Sequence, residues 1–109
     1  KLYLIEDVCE SHGAKFNQKK LGSIGDISNF SFYYAHHMST IEGGMVCTNN
    51  ESTYESLRML RSHGMVREFS NETFKKGWIK EYQDLNEKFI FTKPAFNFRK
   101  NEIGALIGI

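Results

Sequence analysis

Leu2-Tyr3-Leu4-Ile5-Glu6-Asp7 is the stretch on which the fold class turns. Four apolar side chains in succession give an extended segment no polar face. That pattern belongs to a strand buried from both sides, as in parallel sheets covered by helices. The run ends in two carboxylates. In such sheets ligands gather beyond the carboxyl ends of the strands, so Glu6 and Asp7 fall where a site is expected.

Downstream, residues 14–25 alternate and turn, with Gly22 and Gly25 as breakers. Lys15, Lys19 and Lys20 surround Asn17-Gln18 and read as a solvated hairpin turn rather than a phosphate-binding patch. Residues 29–35, Asn-Phe-Ser-Phe-Tyr-Tyr-Ala, are aromatic-rich and predict a second strand. Gly43-Gly44 then turns the chain into a third, Met45-Val46-Cys47-Thr48. A helix follows: Ser52 and Glu55 have capping-box spacing, Tyr54, Leu57 and Leu60 share a face, and Gly64 is placed to end it. Residues 65–88 predict a long loop with some helix around Lys76–Tyr82. Phe89-Ile90-Phe91-Thr92 reads as a strand or extended segment ended by Pro94. Ile103, Leu106 and Ile107 lie on one face of a helix that opens in the last nine residues. The whole reads as α/β.

The 109 residues suffice for one compact domain, and a net charge of +1 offers no broad attraction for nucleic acid or an anionic membrane. No apolar run approaches the roughly 20 residues of a membrane span. Cys9 and Cys47 are too few for a disulfide framework, a zinc site or an iron–sulfur cluster. They are expected to be small core residues in a reducing cytoplasm. The sequence opens without methionine inside an apolar run, as an internal piece of a longer protein would.

The stretch Phe30-Ser31-Phe32-Tyr33-Tyr34-Ala35-His36-His37-Met38-Ser39-Thr40-Ile41-Glu42-Gly43-Gly44 resembles the signature of the DegT/DnrJ/EryC1/StrS family of sugar aminotransferases and related dehydratases. Three further segments agree in order and spacing: Ile5-Glu6-Asp7 with His12-Gly13-Ala14, Leu21-Gly22-Ser23-Ile24-Gly25-Asp26, and Phe96-Asn97-Phe98-Arg99 with Glu102-Ile103 and Ala105-Leu106-Ile107-Gly108. The resemblance covers nearly the whole chain and is weakest across residues 65–90. It implies part of the large, cofactor-binding domain of the type I pyridoxal-phosphate fold over residues 1–109, a mostly parallel sheet with flanking helices, truncated at both ends.

The resemblance also implies roles. Asp7 matches the carboxylate that holds the pyridine nitrogen of pyridoxal or pyridoxamine phosphate protonated, which strengthens the electron sink. On residue chemistry alone it is equally a strand-end carboxylate capping backbone. Ser31 matches a serine on the cofactor phosphate. Asn97 matches an asparagine that reaches the phosphate of a neighbouring subunit, implying a homodimer, with Arg99 as a neighbour of that site. His36 stands where the usual pattern has the Schiff-base lysine. Imidazole cannot form that link, but it can accept and return a proton near neutral pH. Glu10 stands where ordinary aminotransferases of the family carry glutamine near the cofactor's ring hydroxyl.

These two departures together match a minority of the family that dehydrates nucleotide-linked 4-keto-6-deoxy sugars at C3, with His36 as the base. The alternatives are an aminotransferase-like protein with altered or lost activity, and a truncated domain without catalysis. An active whole protein and an inactive 109-residue piece are expected. His37, in extended backbone, would point away from His36. His12 and His63 sit at a turn and in the last turn of a helix, where no special role is required. Glu42 is expected to fasten its turn through backbone hydrogen bonds. Trp78 is either an aromatic anchor or a sugar contact.

Overall fold

A computed structural model describes residues 2–109, which divide into two compact units: residues up to Asn50 together with Lys100–Ile109, and Glu51–Arg99.

In the first unit, strand β1 (Ile5–Asp7) pairs in parallel with β4 (Ile27–Ser31), and β4 pairs antiparallel with β5 (Gly44–Cys47). The order β1-β4-β5 makes a mixed sheet, with one parallel and one antiparallel pair. A parallel pair needs a crossover, and here the crossover carries a hairpin of β2 (Lys15–Phe16) and β3 (Lys19–Lys20). Asn17 and Gln18 take positive φ, 47° and 64°, as a two-residue hairpin turn of the favoured hand requires. The lysine cluster is thus a hairpin, as its polarity suggests.

Glu6 fixes the way into β4. Its carboxylate accepts the amides of Gly22 (2.7 Å), Ile24 (2.8 Å) and Gly25 (2.6 Å). The Gly25 and Gly22 bonds, and more weakly that of Ile24, outweigh burial and hold this carboxyl below its ordinary range. At Gly22, φ is +88° and a Cβ would collide with the Phe30 ring, so a side chain is excluded on two grounds.

The run at residues 2–5 departs from expectation. Leu2, Tyr3, Leu4 and Ile5 are 96, 74, 53 and 65% exposed. β1 is a strand, but no second layer covers these side chains. The core of this unit is small, with Val8 and Ser28 buried. The predicted strand over residues 29–35 begins earlier and stops at Ser31. There the Ser31 hydroxyl accepts the Tyr33 amide and bends the chain out of extension. Cys9 and Cys47 are free and half-buried rather than core residues, because Cys9 lies in the turn two residues past β1 and Cys47 ends β5. Helix α3 (Glu102–Ile107) starts at Asn101, whose side chain caps the Gly104 amide, and its Ile103, Leu106 and Ile107 are exposed.

In the second unit, α1 (Glu51–Leu60) begins one residue before Ser52, so Ser52 is helical and no capping box forms. Glu55 is instead buried and accepts the Ser70 amide (2.8 Å), the Ser70 hydroxyl and the Asn71 amide (3.0 Å). Burial alone would raise its pKa, but the Ser70 and Asn71 donors and Arg58 together bring it below the ordinary value. These donors lie at the start of α2 (Glu72–Glu81), whose N-cap is Asn71, accepting the Thr73 and Phe74 amides. Helix α2 therefore begins four residues before the expected Lys76 because an asparagine cap and a buried carboxylate both define its first turn. His63 and Gly64, φ +61° and +76°, turn the chain after α1, so His63 lies beyond the last helical turn. Residues 89–92 are not a strand: a 3-10 turn, Glu87–Phe89, takes the first residue, leaving a single bridge between Met65 and Phe91. Val66 and Ile90 are buried around it with Met59.

Replacing Glu55 with alanine leaves three donors unpaired and should destabilise the chain by about 2–3 kcal/mol in urea titrations. Since folding holds Glu55 below the ordinary glutamate value, its contribution is complete above that ordinary range and is lost as pH falls through the lowered folded value. Glu55→Gln should accordingly flatten this part of the acid limb. Gly22→Ala should cost about 2 kcal/mol or more, from the positive φ and the Phe30 ring together.

Candidate active site

The site grows from the carboxyl ends of β1 and β4, which the parallel register brings side by side: Asp7 opposes Asn29. Asn29 Nδ2 donates to Asp7 Oδ1 at 3.0 Å, and the Cys9 amide donates to the same oxygen at 3.2 Å. The Cys9 thiol adds a third bond. That bond acts most strongly, followed by the Cys9 amide, the Asn29 amide and the charge of His36. Against a smaller opposing effect of burial, they hold Asp7 below the ordinary aspartate range. The same contact, with burial, pushes the Cys9 thiol up, so it is a donor to Asp7 rather than a reactive thiolate. Asp7 is exposed and kept ionised, aided by a strand asparagine and a cysteine that the sequence reading gave no role.

After Asp7 the chain leaves the sheet. Val8 donates to Asn29 O at 3.0 Å, and the Ser11 amide then closes a turn on Val8 O at 3.1 Å. Glu10 rides on this turn. Ser31 ends β4, its hydroxyl accepting the Tyr33 amide at 3.1 Å and its carbonyl meeting His12 Nε2 at 3.0 Å.

Phe32 N bonds Gly43 O (2.8 Å) and Thr40 N bonds Phe32 O (2.9 Å), closing a loop that carries residues 33–39. Thr40 Oγ1 donates to Glu42 O at 3.0 Å, so the turn is fastened through the backbone of Glu42. Within the loop, the His36 amide bonds Tyr33 O at 3.0 Å. The Tyr33 ring stands edge-on to the imidazole, centroids 5.4 Å apart. His36 Nε2 lies 3.6 Å from Glu10 Oε1; the histidine side chain is 19% exposed and the glutamate 78%. Nδ1 is buried and has no hydrogen-bond partner. Glu10, Ala35, His36 and His37 line an open pocket of about 520 Å³. The backbone here turns rather than extends, so the expected opposite orientation of His37 loses its basis and His37 lines the same pocket.

Asp7, Glu10, Ser31 and His36 all belong to the first unit, and Asn97 belongs to the second. There two backbone bonds, Phe98 N to Arg61 O and His63 N to Phe96 O, both 2.8 Å, bracket Asn97 against Ser62. Arg99 Nε donates to Asn97 Oδ1 at 2.9 Å. With its oxygen occupied, the side chain is left to offer its Nδ2 hydrogens. Among the described residues no cluster of three or more histidine, cysteine or acidic side chains is arranged to hold a metal ion. No helix among them is long and apolar enough to cross a membrane.

Comparison with known proteins extends this picture over the full chain. It is 39% identical to GDP-4-keto-6-deoxy-D-mannose 3-dehydratase of Escherichia coli O55:H7 over 108 residues, which is 99% of this chain and 28% of that protein. The E. coli enzyme solved with bound hydrated PLP superposes with a TM-score of 0.84 at 38% identity, covering 98% of this chain and 27% of that one. A UDP-4-amino-4,6-dideoxy-N-acetyl-beta-L-altrosamine transaminase of Campylobacter jejuni is 31% identical over 97% of this chain and 24% of its own length. The chain thus spans about a quarter of the length of these relatives. Their shared fold is the aminotransferase-like α/β fold, of which this mixed sheet with its helices is a part. Since the family pattern runs through residues 1–109 without a break, the chain belongs to the DegT/DnrJ/EryC1/StrS aminotransferase family.

Proposed function

We propose that the whole protein is a pyridoxamine-phosphate-dependent dehydratase that removes the 3-hydroxyl of a nucleotide-linked 4-keto-6-deoxy sugar, with His36 as its base. The observation that carries this reading is the imidazole itself, set in an open pocket with Glu10 Oε1 3.6 Å from Nε2. The likeness to a 3-dehydratase at 39% identity supports the same reaction class.

The residues present suit the cofactor. Asp7 is exposed, ionised and held in place by Cys9 and Asn29, as a partner for a protonated ring nitrogen must be. Ser31 can donate its hydroxyl hydrogen to a phosphate oxygen, because the bond it already makes uses it as acceptor. Asn97 can donate Nδ2 hydrogens to a phosphate and would do so to a second copy in a homodimer. When bound, the cofactor supplies the electron sink that drains charge from the reacting carbon.

His36 takes and returns the proton. Its Nδ1 is buried, while its Nε2 lies 3.6 Å from the exposed Glu10, so Nε2 is the working nitrogen. Glu10, whose carboxylate is an acceptor only, lies beside the ring to pair with it while that nitrogen holds the proton. Tyr33 packs edge-on against the ring and limits its rotation. A transaminase relative at 31% identity keeps amine transfer as the neighbouring chemistry in the family, but that reaction needs a covalent amine link that imidazole cannot make.

In the full-length protein, borohydride reduction in the presence of pyridoxal phosphate should leave no lysine adduct, as read by peptide mass spectrometry. A single reduced lysine would overturn the histidine assignment. His36→Asn should lower the dehydration rate by about 10²–10⁴-fold while leaving cofactor affinity within a few-fold. His36→Lys should lose dehydration and gain a borohydride-trapped adduct at position 36.

A further inference from the structure

The β1–β4 ladder stops one hydrogen bond early. In a parallel pair the donors advance two residues at a time. Ile5 pairs with Ile27 and Asp7 with Asn29, and Val8 N reaches Asn29 O; the next bond would run from Glu10 N to Ser31 O. That bond is not made, because the chain turns at Val8–Ser11 and carries Glu10 out of the ladder. The Ser31 carbonyl is met instead by a side chain, His12 Nε2 at 3.0 Å. A carbonyl only accepts, so His12 carries its hydrogen on Nε2 in this contact. The ring is also wedged against both aromatic neighbours of Ser31: edge-on to Phe30 at 5.5 Å and tilted against Phe32 at 5.7 Å. Gly13, at φ +79°, then turns the chain away toward the hairpin.

We infer that His12 is a positioning residue for phosphate binding: it stands in for the missing backbone donor and fixes Ser31 at the end of β4. The substitution has a purpose that the geometry makes plain. If β1 continued in register, Ser31 would be held but Glu10 would be locked in the ladder, with its amide spent on Ser31 O. By supplying the donor from a side chain two residues later, the chain frees Glu10 to reach His36 and still holds Ser31. His12 thereby ties the spacing of Asp7, on β1, to that of Ser31, on β4, which are the two ends of the cofactor grip. This inference rests on the cofactor assignment made above.

The test compares pyridoxal phosphate with pyridoxal, which lacks the phosphate, in equilibrium binding to the full-length protein followed by absorbance. His12→Phe keeps an aromatic ring and removes the donor. It should weaken pyridoxal phosphate about 10-fold, the low end of the cost of losing a residue that orients a ligand-binding group, and leave pyridoxal within two-fold. His12→Gln, which places an amide N–H near the position of Nε2, should recover most of the loss. Unchanged affinity for both compounds in His12→Phe would overturn the inference. So would an equal loss for both that glutamine does not repair, since that marks general damage. Should His12→Phe fail to fold, the comparison passes to His12→Gln against the shorter His12→Asn, and equal binding by these two would overturn it. A wild-type protein that does not prefer pyridoxal phosphate to pyridoxal would overturn the cofactor assignment and this inference with it. A wild-type preference that His12→Phe preserves overturns this inference alone.

Discussion

The hydrogen bond from Val8 N to Asn29 O is the point from which the first unit is organised. It is the last rung of the β1–β4 ladder, and in free energy it is an ordinary bond, worth about 1 kcal/mol net. Its weight is geometric. It fixes the register in which Asp7 lies opposite Asn29, so the asparagine amide can hold the aspartate carboxylate. It also buries Val8, leaving the chain free to turn immediately afterwards. Shifted by one residue, the register would move every side chain of β1 to the other face and take Asp7 from its partners.

Neighbouring acids in this fold do unlike work for a simple reason. Successive side chains of a strand point to opposite faces. Glu6 therefore turns toward the glycine-rich loop and accepts three amides, which sets where β4 begins, while Asp7 turns toward Cys9 and Asn29. Glu55, in the other unit, shows a third use: a buried carboxylate seated on the Ser70 and Asn71 amides that lead into α2. All three are held below their ordinary range: hydrogen-bond donors, joined at Glu55 by the Arg58 charge, outweigh burial. A lowered carboxylate pKa is therefore no sign of chemistry in this chain. What distinguishes Asp7 is its exposure at a strand end beside a histidine.

Local patterns were legible wherever a short-range rule decides the outcome. The hairpin at Asn17-Gln18, strand character over residues 29–31, the helix through Tyr54–Leu60 and the helix at the last residues follow from turn chemistry, aromatic content and periodicity. The places where the reading departs are those settled by distant partners. Ser52 and Glu55 have the spacing of a capping box, but Ser70 and Asn71 claim the glutamate from outside the helix. Residues 2–5 carry the signature of a strand buried on both faces, but burial depends on what lies above and below, and those faces are open. In the site, it is the family resemblance, not composition or spacing, that singles out Asp7, Glu10, Ser31, His36 and Asn97. The residues that hold them escaped notice, because Asn29, Cys9 and His12 matter through the register of β1 against β4. An asparagine inside a strand, where its type is disfavoured, was the one available signal.

The pairing of His36 with Glu10 has a rationale in charge balance under the proposed role. A lysine in that position brings its own positive charge; an imidazole is neutral until it takes a proton. When the base carries that proton, a new positive charge arises 3.6 Å from Glu10, and an ionised carboxylate there meets it without rearrangement. Asp7 is already bound to Cys9 and Asn29, and under the proposed role it faces the ring nitrogen, so Glu10 is the carboxylate left for the imidazole. A glutamine at position 10 would offer a dipole but no charge, leaving the protonated imidazole without its counter-ion. Under the proposed role the histidine and the glutamate therefore form a single substitution in physical terms: a base that gains a proton during the reaction is matched by a carboxylate beside it.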